Sequence, residues 1–220
     1  MRKLISLFLL LVLTKSSYSQ IIDRYGVNVG MSYATQSWDY KLLPSLNFDR
    51  DYKVGLMTFL SAEKDFGKAL GVRAEIGYIQ KGFSTTQELV FSDLSLIKID
   101  KEKVILHDLA INLGLKISPF KFDYSPYILV GVRGDYMISY KPITVKESGF
   151  EFTMYESEIK DFTKFNMGGL FGVGIDINKS IYFEVEYNPN ITRNFEDKGL
   201  SIKDNCWGIK VGINIDKFIK

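Results

Sequence analysis

From Phe165 to Asn188 the chain alternates with period two in two arms. Phe165, Met167, Gly169, Phe171, Val173, Ile175 and Ile177 fall on one face, and Asn166, Gly168, Leu170, Gly172, Gly174, Asp176 and Asn178 on the other. After Lys179 the pattern resumes, with Ile181, Phe183, Val185 and Tyr187 set against Tyr182, Glu184, Glu186 and Asn188. Side chains change face at each residue of a strand, so the stretch predicts a long hairpin turning at Asn178–Ser180. The polar face is rich in glycine and charge and offers little bulk for a soluble core. Apolar residues outside and small or polar residues inside suit strands that face lipid.

The same asymmetry marks six further strands. Tyr25, Val27, Val29, Met31 and Tyr33 point outward from the first, and Tyr52, Val54, Leu56, Thr58 and Leu60 from the second, near Asp51 to Ser61. The third runs from Leu70 to about Lys81, the fourth from Ile105 to Ile117, and the fifth has Ile128, Val130, Val132, Tyr136 and Ile138 outward. The last places Trp207, Ile209, Val211, Ile213 and Ile215 outward and Cys206, Gly208, Lys210, Gly212, Asn214 and Asp216 inward. Glu63–Lys68 reads as a short turn. Thr35–Asp49, Phe83–Lys103, Lys141–Lys160 and Asn190–Asn205 read as long connections, the second able to form an extra hairpin or lid. Long and short connections alternate, as in outer-membrane barrels, and an even strand number returns both termini to the periplasm. Tyrosines near strand ends suit interfacial girdles. The expectation is an all-β fold, an eight-stranded antiparallel up-and-down transmembrane β-barrel with a polar, charged interior. Closure is expected because open edges leave backbone groups unpaired in hydrocarbon.

Residues 1–19 read as a signal peptide: Arg2 and Lys3, an apolar run from Leu4 to Leu13, then small residues up to a cleavage point after Ser19. The run is too short to span a bilayer as a helix. Residues 20–220 then form one barrel domain in the outer membrane. Loss of Arg2, Lys3 and Lys15 takes the formal charge from +2 to about −1, which removes any argument for nucleic acid. Cys206 is the only cysteine, so one copy of the chain has no internal disulfide and no cysteine metal cluster.

On this register Arg73, Lys116, Arg133, Lys164 and Lys210 share the interior with Glu75, Asp108, Asp135, Glu184 and Glu186. An eight-stranded interior is just wide enough for side chains or one small ligand, and charges packed there must pair. A stabilising polar plug is preferred to a ligand site or pore. Glu184 and Glu186 share a face without a cleft between them, as glycoside hydrolysis would require. His107 lies outward, away from Asp108, so no nucleophile, base and orienting acid converge. No cofactor or metal motif is present, and the expected function is non-enzymatic.

The signal peptide, the glycine-alternating strands, Gly168 to Tyr187 and the terminal Trp207–Ile215 strand resemble the PorT-like outer-membrane β-barrel proteins of Bacteroidetes. The resemblance implies a small outer-membrane barrel and a link to protein export, and carries no active residue. The final Phe218-Ile219-Lys220 departs from the usual terminal aromatic. Expected partners are outer-membrane lipid and an envelope or secretion-complex protein, with the oligomeric state open. The alternatives are a secreted lipocalin-like binding barrel, which needs an apolar cavity, and a narrow outer-membrane channel.

Overall fold

The computed structural model describes residues 22–42, 48–67, 69–90, 96–120, 122–147 and 150–217. The expected signal peptide and the last three residues lie outside the described residues. Twelve strands form: β1 (Arg24–Tyr40), β2 (Phe48–Asp49), β3 (Lys53–Phe66), β4 (Leu70–Val90), β5 (Leu96–Ile117), β6 (Tyr124–Lys141), β7 (Ile143–Glu147), β8 (Phe150–Met154), β9 (Phe165–Ile177), β10 (Ile181–Pro189), β11 (Phe195–Glu196) and β12 (Leu200–Asn214). A short helix covers Glu156–Lys160, and a 3₁₀ turn, Ile215–Lys217, follows β12.

Alternation decides which side chains are covered. Along β1, Asn28 and Ser32 are buried while Val29 and Met31 stand exposed on the opposite face. In β12, Lys210 is fully buried between the exposed Ile209 and Val211. Most of the residues expected outward on the eight long strands are exposed or half-buried, while Gly169, expected outward on the sixth, is buried. Asn178 and Lys179 adopt left-handed φ of 49° and 55° in a three-residue connection, Asn178–Ser180, whose Ser180 N–H donates to the Ile177 carbonyl at 3.0 Å. That turn fixes the register Ile181↔Ile177 and, from it, Glu184↔Gly174.

The main sheet contains ten strands in the order β11-β12-β10-β9-β6-β5-β4-β3-β1-β2, and β12 also pairs with β1. Eight long antiparallel strands therefore run as a ring, with β2 and β11 laid on the extensions of β1 and β12 and β7–β8 forming a separate hairpin. The ladders are not continuous around this ring. Pairing of β3 with β4 stops at Met57↔Ile79, beyond which only an isolated bridge, Asp51↔Ser84, joins them. Gly82, with φ of 118°, takes a backbone conformation that favours glycine, close to where β4 leaves β3. Pairing of β9 with β10 stops at Tyr187↔Phe171, leaving the bridge Gly168↔Asn190. Pro189 has no N–H to extend that ladder, and a Cβ on Gly168 would lie 2.8 Å from the Pro189 carbonyl. The expected plain eight-stranded up-and-down barrel, closed at every seam, is thus corrected to a ring whose seams part at the end bearing the long connections.

Several expected connections are also corrected. Glu63 belongs to β3 and faces inward, and the turn centres on Gly67, with φ of 72°. Trp38 and Tyr40 continue β1, and the Phe83–Lys103 region is largely the continued β4–β5 hairpin. The Lys141–Lys160 region holds β7, β8 and the helix in place of a solvated loop. These parts cap the loop end with an apolar core of Trp38, Phe83, Val104, Leu106, Ile143, Ile159, Phe162 and Ile202. Beside the cap, Asp197 accepts backbone N–H groups from Gly199 (2.6 Å) and Leu200 (2.7 Å). These bonds hold its carboxyl below the usual range.

Interior packing leaves little slack at the inward glycines. A Cβ on Gly208 would meet the Glu186 side chain at 2.8 Å and Met57 Cε at 3.1 Å. Gly208→Val should therefore lower folding stability by about 1–3 kcal/mol through overpacking, whereas the outward Ile209→Leu leaves it within about 0.5 kcal/mol. Urea unfolding of the two variants in the same detergent, followed by tryptophan fluorescence, checks the contrast.

Candidate functional site: the charged interior

The interior is built in tiers from residues that alternate inward on neighbouring strands. At the end with the short turns, Lys116 Nζ lies 2.6 Å from Asp176 and 3.0 Å from Glu63. Arg24 also binds Glu63 and reaches Asp65 at 2.6 Å. A cleft of about 30 Å³ opens here among Arg24, Glu63, Lys116 and Asp176, room for about one water.

One tier deeper, Arg73 joins two acids. Its Nε donates to Glu63 at 3.1 Å and its Nη1 to Glu184 at 2.7 Å. The register Glu63↔Arg73 puts the first pair on adjacent strands. The guanidinium lies 4.5 Å from the Tyr182 ring centre and 5.1 Å from that of Tyr127, whose hydroxyl donates to Glu184 at 2.7 Å. Arginine suits this position because its planar fork donates to both carboxylates and stacks on rings.

Lys210 centres the next tier. Its Nζ is 2.7 Å from Glu186, 2.9 Å from Glu184 and 3.0 Å from Glu75. Glu75 also accepts from Asn112 at 2.8 Å and Asn28 at 3.0 Å, and the Tyr182 hydroxyl donates to Asn28. The register Glu184↔Lys210 sets this contact. Beyond a small apolar layer of Ala34, Met57, Phe59, Ile79, Ala110 and Cys206, Lys81 Nζ lies 2.9 Å from Asp108, 3.2 Å from Asp135 and 3.3 Å from Asp204. Arg133 Nε donates to Asp135 at 2.7 Å, and Gln36 donates to Asp204 at 2.8 Å. Under the cap, the Arg50 guanidinium lies 4.6 Å from the Trp38 ring centre, 4.8 Å from Tyr155 and 5.3 Å from Phe83.

Arg73, Glu75, Asp108, Lys116, Arg133, Asp135, Glu184, Glu186 and Lys210 thus come together inside the ring as ion pairs. Lys164 does not: it is exposed just before β9. Its place in the interior followed from extending the β9 alternation one residue past the point where the strand begins. Sequence reasoning missed Lys81, at the end of the third predicted strand, and Arg24, Glu63 and Asp204, which sit one or two residues beyond the predicted strand ends. Their signal is the same alternation carried one inward position, two residues, further, with a charge there.

His107 faces outward, with its Nδ1 2.5 Å from the Tyr78 hydroxyl, while Asp108 turns inward to Lys81. Cys206 is buried and donates to the Trp207 carbonyl at 3.3 Å. No cluster of three His, Cys, Asp or Glu side chains with metal-binding geometry occurs among the described residues.

Removing one member of such a network leaves its partners charged and unpaired. Lys210→Met should cost about 3–5 kcal/mol, because three carboxylates lose their common cation. Lys210→Met combined with Glu184→Gln and Glu186→Gln should recover much of that loss. Denaturant midpoints for the single and triple variants measure the difference.

The chain matches the family model described as outer membrane protein beta-barrel domain over residues 19–196. No curated protein matches it in sequence. Among solved structures, the attachment invasion locus protein Ail of Yersinia pestis is 13% identical, covers 87% of this chain and 99% of its own, and has a TM-score of 0.41. Neisserial surface protein A is 11% identical over 86% of this chain and 96% of its own, at a TM-score of 0.46. OprG from Pseudomonas aeruginosa is 12% identical over 88% and 97%, at 0.45. The family match, covering most of the chain, is the basis of assignment: the protein belongs to the outer membrane protein beta-barrel domain family.

Proposed function

We propose that the protein is a non-enzymatic component of the outer membrane, anchored by the outward apolar face of its strand ring. A signal peptide cleaved after Ser19 delivers it. The short turns and both termini face the periplasm, and the outer surface of the cap, over its buried apolar core, faces outward as a contact surface for another envelope protein. A PorT-like kinship is part of this reading.

The observation that carries it is the belt of exposed apolar side chains bounded by aromatics. Tyr33, Trp207 and Tyr187 sit in register on three adjacent strands; the Tyr33 ring stacks on Tyr52 at 4.3 Å, and Tyr187 lies 4.6 Å from Trp207. At the turn end Tyr25, Phe66, Phe120, Phe122 and Tyr124 are exposed. Tyr25 and Tyr33 bracket a nine-residue stretch of β1, within the roughly 9–11 residues a tilted strand needs to cross the apolar layer. Val29, midway, is more than half exposed. In water that surface would be an aggregation liability; in lipid it is the solvent-facing side.

The filled, ion-paired interior favours a structural role over conduction, and its charge does not suit the apolar ligand of a lipocalin-like binder. Cell fractionation tests the placement: recovery with the outer membrane, and a mobility shift between unheated and boiled samples, are the expected results. Recovery as a soluble protein overturns it. Val29→Lys, at the middle of the belt, should lower stability in lipid by about 2–4 kcal/mol, with Val29→Leu close to neutral; unfolding from lipid vesicles checks both.

A further inference from the structure

The contact between Arg50 and the segment Tyr155–Phe162 is built as a latch. Arg50 is rooted on the ring: its N–H donates to the Gln36 carbonyl at 2.9 Å, and its own carbonyl accepts from the Thr35 hydroxyl. Its buried side chain meets three aromatic rings. Trp38 on β1 and Phe83 on β4 belong to the ring of strands, whereas Tyr155 belongs to the connection between β6 and β9. The three aromatic planes stand at 72° to 84° to one another, with centres 5.2–6.0 Å apart, so the guanidinium faces three walls of a cage. Aromatic faces attract a cation within about 6 Å, and more strongly where water is excluded. The cage is complete only while Tyr155 is in place.

Tyr155 heads a strap that rests on the ring through side chains. Ile159 and Phe162 are buried in the apolar core of the cap. Backbone bonds run within the strap, from the Ile159 N–H to the Tyr155 carbonyl at 3.1 Å and from the Phe162 N–H to the Ile159 carbonyl at 3.1 Å. Backbone anchorage to the ring follows it, where the Thr163 N–H donates to the Asn194 carbonyl at 2.7 Å and the Lys164 carbonyl accepts from Met137 at 2.8 Å. On its other side the strap continues β8, which pairs with β7 in a sheet separate from the ring. Tyr155 has φ of 64°, a left-handed conformation that is uncommon for a bulky residue and is held by its surroundings. A segment docked by side chains and anchored behind one end can part from the ring without breaking a ladder bond.

We propose that Tyr155–Phe162 is a strap latched by Arg50: while the guanidinium is caged the strap lies closed over the loop end, and on release it lifts as a unit while the ring stays folded. A cation suits a latch better than an apolar residue. Lifting Tyr155 returns the guanidinium to water, which offsets part of the lost ring contacts and keeps closed and lifted states near in free energy. The latch is also joined to the interior. The Trp38 indole N–H donates to Gln36 at 3.2 Å, and Gln36 donates to Asp204 at 2.8 Å, one of the acids around Lys81. Strap and outermost charged tier thus lean on the same tryptophan. The rival reading is a fixed strap that opens only when the whole ring unfolds.

Hydrogen exchange followed by mass spectrometry on the full chain in detergent decides between them, with peptides covering Tyr155–Phe162 and β12. In wild type the strap should exchange faster than β12, through an opening that low urea hardly accelerates. Arg50→Ala should speed strap exchange about tenfold, as loss of a desolvated cation–π contact implies, and leave β12 unchanged. Tyr155→Leu should do at least as much, and the double variant should exchange no faster than Tyr155→Leu alone, because both changes remove one contact. Strap amides that exchange only together with β12 in wild type overturn the proposal. So does an Arg50→Ala strap no faster than wild type, an equal acceleration of strap and β12, or additive effects in the double variant. Should Arg50→Ala fail to fold, the wild-type comparison and Tyr155→Leu still decide.

Discussion

An interior lined with fixed charges, and with no room for bulk water to screen them, must neutralise those charges from within. That constraint governs the ring. Lys81, Lys116 and Lys210 each gather acids from two or more strands, and Arg73 joins β4 to β3 and β10 through Glu63 and Glu184. Every such contact crosses the lumen or a ladder, so pairing of charge and pairing of strands reinforce each other. The inward glycines follow from the same demand, since long cationic side chains fill the space that neighbouring residues leave.

The tiers are graded along the axis. Mixed ion pairs occupy the turn end, tyrosines stack around Arg73, and a thin apolar layer separates Lys210 from Lys81. At the loop end Arg50 lies against Trp38, Phe83 and Tyr155, where charge gives way to the apolar core of the cap. The seams part at this same end. Where ladder bonds stop, side-chain packing from β1, β4, β5, β12, the β7–β8 hairpin and the short helix takes over.

Facing was legible in the sequence because the backbone fixes the side-chain period at two, and the outward residues are apolar along all eight long strands. Most of the charged interior was legible for the same reason. Strand length was not. Glu63 and Asp204 resemble loop residues locally, since a charge beside a strand end reads the same whether it meets water or another charge. Lys164 shows the opposite error, an alternation extended beyond its strand. The cap was hidden because Ile143, Ile159 and Phe162 lie among many acidic residues, and only their tertiary neighbours reveal that they are buried. Discontinuous seams were equally hidden, since a glycine with positive φ and a proline mark them without stating which ladder they interrupt.

Sharing of carboxylates has a consequence for how such a chain can diverge. Glu184 serves both Arg73 and Lys210, and Glu63 serves Arg24, Arg73 and Lys116, so the central interior charges are shared between partners. A change at one position disturbs two or three others on different strands, and inherited substitutions inside the ring must arrive in compensating groups. The outward face has no such linkage: one aliphatic residue can replace another without consulting its neighbours. Related chains should therefore drift quickly on the outside while their interiors change rarely and in blocks, which leaves overall identity a poor gauge of how much of the internal network two of them share.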